Sequence, residues 1–255
     1  MEKINFSEST KQKLDPMYLV IYAIKNEVNI KKGDYIEKTD IYSLVGIDSK
    51  GQRQFLNIYQ DKTNNNRYWL DCFEVLKSRG IQQVLFLSVD NNKNFKRTAK
   101  IAFPDVVFID SLTDIIPKFY KYSSNKSAKE IYSRLHSLYV QKTLSDFKIE
   151  FKSFCDTYNN SIHQKLIQKY LNNIEGIYKY SYNIRVLLFK HSANIVLYNK
   201  IRVLIDNSNY ILDLEEICDK LGNIDKYFGF TSFKKSEWIY IINDLIQMFP
   251  KFDFI

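Results

Sequence analysis

A nearly unbroken apolar run, VLFLSV at residues 84–89, constrains the fold of this chain more than any other feature. Such runs are typical of strands buried on both faces of a parallel sheet, and these strands need helices around them. A helical pattern spans Arg67 to Arg79 before the run and ends at Gly80, and a short one spans Phe95 to Ala102 after it. A further strand pattern, VVFID at residues 106–110, follows Pro104, so strands alternate with helices here.

The preceding segment, from Met17 to Asp61, is strand-like throughout. It contains three runs rich in β-branched and aromatic residues, MYLVIYAIK, IYSLVGID and RQFLNIY. The turn from Asp48 to Gly51 between the second and third runs is a hairpin signal, because glycine can adopt positive φ. The pattern predicts an antiparallel meander.

Together the elements predict the order β-β-β-α-β-α-β, which is the ribonuclease-H-like order. It gives an α/β fold with one mixed five-stranded sheet flanked by helices. From Ile115 onward the pattern is helical, with an aromatic stripe at Phe147, Phe151 and Phe154. We therefore expect a polar N-terminal segment at 1–14 and one domain at 15–255, with its sheet core at 15–120 and a mostly helical layer at 121–255.

The charge balance favours a polyanionic partner. Lysine and arginine total 37 against 29 acidic residues, which gives a net charge of +8 and a pI near 9.1. AT-rich coding bias produces the same abundance of lysine, so a nucleic-acid partner is one of two explanations. The three cysteines form no CxxC pair, and no run has signal-peptide or membrane-spanning character. We expect a cytoplasmic protein with no membrane association.

Two aspartates at the ends of predicted strands are candidates for metal chemistry. Asp15 abuts the run MYLVIYAI, and Asp90 ends the run VLFLSVD. If neighbouring strands bring them face to face, they repel by roughly 4 kcal/mol at 4 Å and an effective dielectric of 20. A Mg²⁺ or Mn²⁺ ion reverses that sign and could activate water or a 3′-hydroxyl. The alternative is that both aspartates only cap turns or helices.

The ordered run of segments resembles the catalytic region of bacterial insertion-sequence transposases of the Mutator type. DPMYLVIYAIK is similar to that family's first strand, and YSLVGIDSKGQRQFLNIY to its second and third strands. RYWLDCFEVLKSRGIQQVLFLSVD is similar to the tryptophan-bearing helix and the strand before the second catalytic Asp. Two later segments resemble diverged C-terminal helices of that family: IRVLLFKHSANIVLYNKIR and GFTSFKKSEWIYIINDLI.

The resemblance implies catalytic and metal-binding roles for Asp15 and Asp90, with Mg²⁺ or Mn²⁺ as cofactor if the chain is active. The third acid is absent, because its position resembles Ile195, or Val196 with a one-residue shift. The family's Cys and His fall near Ile109 and Leu112, and Asp110 could stand in for the Cys as a metal ligand. The short segment before Asp15 also implies that the upstream DNA-binding portion of full-length relatives is absent.

Three functions follow from this incomplete set of acids. The first is a degenerate, truncated transposase-derived domain related to DNA transposition, with a homo-oligomer or a full-length transposase as partner. The second is an active Mg²⁺-dependent strand-transfer or nuclease enzyme in which Asp110, Glu175 or Asp206 replaces the missing acid. The third is a non-catalytic module that binds DNA or protein. Its candidate DNA contacts follow Asp90: Lys93, Lys96, Arg97 and Lys100.

Overall fold

A computed structural model describes residues 12–62, 65–110, 130–131, 133–134, 137–157, 174–190, 214–222, 233–252 and 254. The chain divides into two compact units. The first comprises residues 1–113, 193–233 and 255, and the second comprises residues 114–192 and 234–254.

The described part of the first unit has the predicted order of elements. Its strands and helices are β1 (Met17–Lys32), β2 (Tyr35–Asp48), β3 (Arg53–Gln60), α1 (Asn66–Ser78), β4 (Gln83–Val89), α2 (Lys93–Ala102) and β5 (Val107–Asp110). The strands form one five-stranded sheet in the order β3-β2-β1-β4-β5. β1, β2 and β3 pair antiparallel, whereas β4 pairs parallel to both β1 and β5. The predicted mixed sheet with flanking helices is therefore confirmed.

The first two strands are longer than the sequence patterns predicted. β1 continues beyond Lys25 to Lys32, and β2 begins at Tyr35 rather than at Ile41. Gly33 adopts a φ of 60° in the turn that joins them, a conformation that glycine adopts without strain. The extension is rich in polar residues, but Val28 and Ile30 alternate on it and are buried. This alternation is the period of a strand with one covered face.

Aromatic side chains from the sheet and both helices form the core of the first unit. Trp69 of α1 and Phe95 of α2 contact each other with ring centroids 4.8 Å apart, and both rings contact Tyr42 of β2. All three side chains are fully buried. Asn65 caps α1 by accepting a hydrogen bond from the Tyr68 N–H. The packing of α1 and α2 thus anchors the strand that carries Tyr42.

The second unit contains helices in its described part. They are α3 (Leu144–Thr157), α4 (Ile174–Ile177), α5 (Tyr182–Arg185) and α7 (Lys235–Met248). α5 continues as a π-helical turn at Val186–Lys190. The remaining helix, α6 (Leu214–Gly222), belongs to the first unit and contacts β3. Phe147 and Phe154 of the predicted aromatic stripe are buried. No helix among the described residues is long and apolar enough to cross a membrane.

Candidate functional site

Asp15 lies in the irregular segment immediately before β1. Its Oδ1 accepts a hydrogen bond from the Met17 N–H at 3.1 Å, and its Oδ2 lies 3.5 Å from the Lys50 ammonium. Asp48 lies in the adjacent hairpin, and its Oδ1 accepts hydrogen bonds from the N–H groups of Lys50 and Gln52. Burial raises the pKa of Asp48, and the negative charge of Asp15 adds to the effect. Asp15 therefore has the contacts of a turn-stabilising aspartate.

Asp90 directly follows β4 and has different surroundings. The Tyr42 hydroxyl lies 2.8 Å from both of its carboxylate oxygens, and the Asn92 N–H donates to Oδ1 at 3.1 Å. The Asp90 side chain is only 12% exposed. Burial, followed by the charge of Asp90, raises the pKa of Tyr42, so this phenol stays protonated and donates its hydrogen bond.

The sheet register separates these two aspartates. β1 and β4 run parallel, with Met17 opposite Gln83 and Tyr22 opposite Ser88. Asp15 precedes the paired segment and Asp90 follows it, so they lie at opposite ends of the strand pair. Seven residues of β4 at about 3.3 Å each put roughly 23 Å between the two ends. The expectation that Asp15 and Asp90 face one another across a metal pair is therefore wrong.

A lysine from β1 lies beside Asp90 instead. The Lys25 ammonium is 2.8 Å from Asp61 Oδ2, 3.0 Å from Asp40 Oδ2 and 4.0 Å from Asp90 Oδ2. The Asp61 side chain is 3% exposed and that of Lys25 is 28% exposed. One ammonium thus lies among three carboxylates from separate segments of the chain. We call this group, with its two neutral hydrogen-bonding neighbours, the Lys25 cluster: Lys25, Asp40, Tyr42, Asp61, Asp90 and Asn92.

Strand pairing brings the cluster together. Lys25 of β1 lies directly opposite Tyr42 of β2. Asp61 follows β3, and its N–H donates to the Asp40 carbonyl at 2.7 Å, which places Asp61 alongside the same pair of strands.

Asn92 joins α2 to this cluster. Its Oδ1 accepts from the Phe95 N–H at 3.0 Å and so caps the helix. Its side-chain amide donates to Asp61 at 3.2 Å. The start of α2 is therefore tied to the carboxylates around Lys25.

The electrostatics of the cluster favour a permanently charged lysine. Burial alone lowers the pKa of Lys25, but hydrogen bonds to Asp61 and Asp40 outweigh it and raise the pKa above its ordinary value. For Asp61 the balance differs, since burial, with the negative charges of Asp90 and Asp40 added, raises its pKa more than Lys25 lowers it. The Lys25 ammonium lies within charge-assisted hydrogen-bond distance of the Asp61 and Asp40 carboxylates, so these contacts are ion pairs.

The residues around Asp90 do not fit a divalent metal ion. Both Asp90 oxygens already lie 2.8 Å from the Tyr42 hydroxyl, and the Lys25 ammonium lies 4.0 Å from Asp90 Oδ2. From Met17 to Asn26, β1 contains no acidic residue that could face Asp90. Within the described residues, no group of three His, Cys, Asp or Glu side chains is arranged to hold a metal.

The other predicted ligands are dispersed. Asp110 ends β5 and pairs with Val89, so its backbone lies at the edge of the sheet where Asp90 follows β4. Glu175 lies in α4 of the second unit. Ile109 is buried in β5. The remaining positions fall outside the described residues: Leu112, Ile195, Val196 and Asp206.

The basic side chains of α2 differ in how far they are available to a partner. Lys100 donates to the Val106 carbonyl at 2.9 Å, and the Lys96 ammonium lies 6.0 Å from the centre of the Phe108 ring. Lys93, Arg97 and Lys100 are exposed, and Lys96 is half-buried. Three of the four predicted contacts are therefore exposed, although the ammonium of Lys100 is held by a backbone carbonyl.

Sequence reasoning missed Lys25, Asp40 and Asp61, although a signal for them existed. Lys25 follows the run MYLVIYAI, Asp40 precedes IYSLVGID, and Asp61 follows RQFLNIYQ. A meander brings three strand ends together at one edge of the sheet. They are the end of the first strand, the start of the second and the end of the third. A parallel fourth strand ends at that same edge, so charged residues at these four strand ends belong together.

Comparison of the sequence with known protein families identifies one match. Residues 4–202 match the family described as Transposase, Mutator family. The chain belongs to this family. The match covers every strand of the sheet and the residues of the Lys25 cluster.

Individual relatives are distant and longer. A probable transposase for an ISRM3-like insertion sequence element of Sinorhizobium fredii is 20% identical over 192 residues, which cover 74% of this chain and 48% of the relative. The ISRM3 transposase of Rhizobium meliloti is 19% identical with the same coverage. A probable insertion-sequence transposase of Corynebacterium diphtheriae is 22% identical over 132 residues, or 52% of this chain and 38% of the relative. This Mutator-family chain thus spans about half the length, or less, of these curated relatives.

Proposed function

We propose that this chain is a transposase-derived domain that has a role related to DNA transposition but has lost metal-dependent DNA cleavage and strand transfer. Membership of the Mutator family supports the link to transposition. The observation that carries the loss of catalysis is the Lys25 ammonium among the carboxylates of Asp40, Asp61 and Asp90.

Electrostatics support this proposal. Family chemistry would require a divalent cation at Asp90, close to the Lys25 ammonium. A 2+ ion about 4 Å from a 1+ group is repelled by roughly 8 kcal/mol at an effective dielectric of 20. Lysine also holds its proton tightly here, since the pKa of Lys25 is raised by its acidic partners. Loss of one member of a catalytic unit removes most of its rate, and here Asp15 lies at the opposite end of the strand pair from Asp90.

We further propose a ribonuclease-H-like scaffold with DNA as its partner. The strand order β3-β2-β1-β4-β5 supports the scaffold. The net charge of +8 supports a DNA partner, and Lys93, Arg97 and Lys100 are exposed candidates on α2; of these, Lys93 and Arg97 make no hydrogen bond to Val106. A second copy of this chain or a full-length transposase is the proposed protein partner. Three free cysteines accord with a cytoplasmic location.

A cleavage assay tests the loss of catalysis. The purified chain is incubated with supercoiled plasmid in Mg²⁺ or Mn²⁺, beside an Asp90→Asn variant. We expect nicking at the background rate in both proteins. Nicking by the parent chain that disappears in Asp90→Asn would refute the proposal.

A DNA-binding assay tests the partner separately. Duplex binding should weaken as salt rises and should weaken further in a Lys93→Ala/Arg97→Ala double variant. The matched control is Lys148→Ala/Lys152→Ala, which also removes two exposed basic side chains, from α3 in the second unit. An equal effect of both changes would argue against α2 as the contact.

One observation favours the active-enzyme alternative, namely that Asp110 ends the strand adjacent to Asp90. An enzyme using Asp110 as substitute acid would lose plasmid nicking equally in Asp110→Asn and Asp90→Asn. The same assay therefore distinguishes the two functions.

A further inference from the structure

Apolar side chains are concentrated on the exposed surface of α7. Among the residues that the structure describes, nine large apolar side chains are exposed, and four of them lie on this helix. They are Ile239, Tyr240, Ile246 and Met248, and each is between 39% and 61% exposed. A cluster of exposed apolar side chains on one element indicates a surface that binds another molecule.

Most of these side chains share one side of the helix. Ile239, Asn243 and Ile246 are spaced by four and three residues, which is the spacing of neighbours on a helix surface, and Tyr240 lies beside Ile239. All four residues are exposed. We call this group the α7 stripe: Ile239, Tyr240, Asn243 and Ile246.

The opposite side of α7 packs against the start of α5. Ile241 and Leu245 are buried on that side. The Asp244 carboxylate accepts hydrogen bonds from the Ser181 hydroxyl and from the Asn183 side-chain amide. These contacts fix the rotation of α7 about its own axis, so the α7 stripe stays exposed.

We infer that the α7 stripe binds the same stripe of a second copy of this chain, in an antiparallel helix pair with a two-fold axis near Asn243. The inference rests on the proposed function, in which a second copy is a candidate protein partner, and it goes further by naming the surface. α7 lies outside residues 4–202, which match the Mutator family, so the family match does not account for this surface.

The charge of the α7 stripe favours a second copy over DNA. The chain carries a net charge of +8, yet Asp244 is the only charged residue from Ile239 to Met248, and it is bonded to α5. DNA binding requires cations opposite the phosphates, and the stripe contains no basic residue. Two basic chains repel each other where like charges meet, so an uncharged stripe is a surface on which they can associate without that cost.

Asn243 makes the stripe complementary to itself. Its side-chain amide holds both a donor and an acceptor, so two copies that meet at a two-fold axis satisfy each other. A single asparagine within an apolar helix contact also specifies the register of the two helices. With Asn243 at the axis, Tyr240 of one copy packs on Ile246 of the other, because each lies three residues from Asn243.

The basic start of α7 lies outside this contact. Lys235 is eight residues from Asn243, which places it about 12 Å along the helix from the axis. Two helices that cross at about 50° have separated at that distance. The lysines of the two copies therefore do not oppose the pairing of the stripes.

The size of the stripe predicts a weak dimer. A large side chain presents on the order of 200 Å² when fully accessible, so the partly exposed members of the stripe bury roughly 400 Å² per copy. Stable complexes bury about 800 Å² per partner, whereas transient ones bury less. We therefore expect a dissociation constant between about 20 and about 200 µM.

Sedimentation equilibrium of the full chain, from about 5 to about 500 µM, tests the surface. Ile246→Lys places a charge within the proposed apolar contact. The matched control is Ile149→Lys, which makes the same change at an isoleucine that is 67% exposed on α3 of the same unit. Thermal melting of each variant checks that it is folded.

We expect Ile246→Lys to raise the dissociation constant at least ~10-fold, because both lysines must lose water on an apolar surface, and Ile149→Lys to change it less than ~2-fold. A second pair of variants tests the axis. Asn243→Lys and Asn243→Asp each bring like charges together in a symmetric dimer, so each alone should associate at least ~5-fold more weakly than the parent chain. An equimolar mixture of the two should recover association, because opposite charges then meet at the axis.

A parent chain that keeps its monomer mass of 30.4 kDa at the highest concentration would overturn the inference. Dimerisation that persists in Ile246→Lys, or that weakens equally in Ile149→Lys, would overturn it too, because another surface would then be in use. If Ile246→Lys does not fold, the Asn243 variants and their mixture decide the question. The assay contains neither DNA nor metal, so a monomeric chain leaves the proposed loss of catalysis untouched, and plasmid nicking leaves the dimer untouched.

Discussion

The ion pair between Lys25 and Asp61 should contribute measurably to stability. The two charged atoms lie 2.8 Å apart, and the Asp61 side chain is only 3% exposed. We consider Lys25→Met, Asp61→Asn and the double variant. Lys25→Met leaves three carboxylates without their cation, whereas Asp61→Asn leaves the ammonium with Asp40 and Asp90. The lysine substitution should therefore cost more than the aspartate substitution.

The magnitude follows from distance and burial. Two unit charges at 2.8 Å attract by roughly 6 kcal/mol at an effective dielectric of 20. The desolvation of Asp61, and water around the 28%-exposed lysine, reduce the net value. We expect Lys25→Met to lower the free energy of unfolding by about 3 kcal/mol and Asp61→Asn by about 2 kcal/mol. The double variant should lose about 3 kcal/mol in total, which gives a coupling energy near 2 kcal/mol.

Urea unfolding followed by tryptophan fluorescence measures these values. The chain has two tryptophans, and a Trp238→Phe background leaves the buried Trp69 as the reporter of the first unit. The control is the exposed pair of Lys38 and Glu27 on the same two strands, 2.7 Å apart, with side chains 65% and 58% exposed. Its coupling should stay below about 0.5 kcal/mol. Additive losses at Lys25 and Asp61, or an equally strong control, would refute the reasoning.

Two further predictions concern packing and thiol reactivity. Gly46→Ala should lower the free energy of unfolding by about 2 to 3 kcal/mol in the same titration, because the new methyl group would overlap the buried ring of Tyr18. The control is Gly176→Ala in the second unit, which meets nothing within 4 Å and should cause no loss when Trp238 of that unit is kept as the reporter; equal losses would contradict this account. Burial raises the pKa of Cys72 to about 12, so brief iodoacetamide treatment at pH 8 should label the less buried Cys155 first. Mass spectrometry that found Cys72 labelled as fast as Cys155 in the folded chain would contradict that expectation.

The order of elements was predictable because each element depends on a local pattern. The apolar run at 84–89 and the three β-branched runs before it are strands for reasons contained in a few residues each. The ends of β1 and β2 were less predictable, since the hairpin between Lys25 and Ile41 contains many polar residues. Only the alternation of Val28 and Ile30 indicates that the strand continues.

The placement of the aspartates shows where local patterns stop being sufficient. The apolar runs identified Asp15 and Asp90 as strand-end residues, but which ends meet depends on strand direction. Parallel pairing of β1 with β4 aligns start with start, so Asp15 and Asp90 could not meet. Their separation follows from topology rather than from either residue's neighbours.

The sequence by itself determined the order of the strands and helices in the sheet. Only the tertiary structure decided that Lys25 lies among Asp40, Asp61 and Asp90. The physical reason is that the secondary structure of each segment depends on side chains a few residues apart, whereas this cluster joins residues far apart in the chain. Their charges interact only after strand pairing has brought them to the same edge of the sheet.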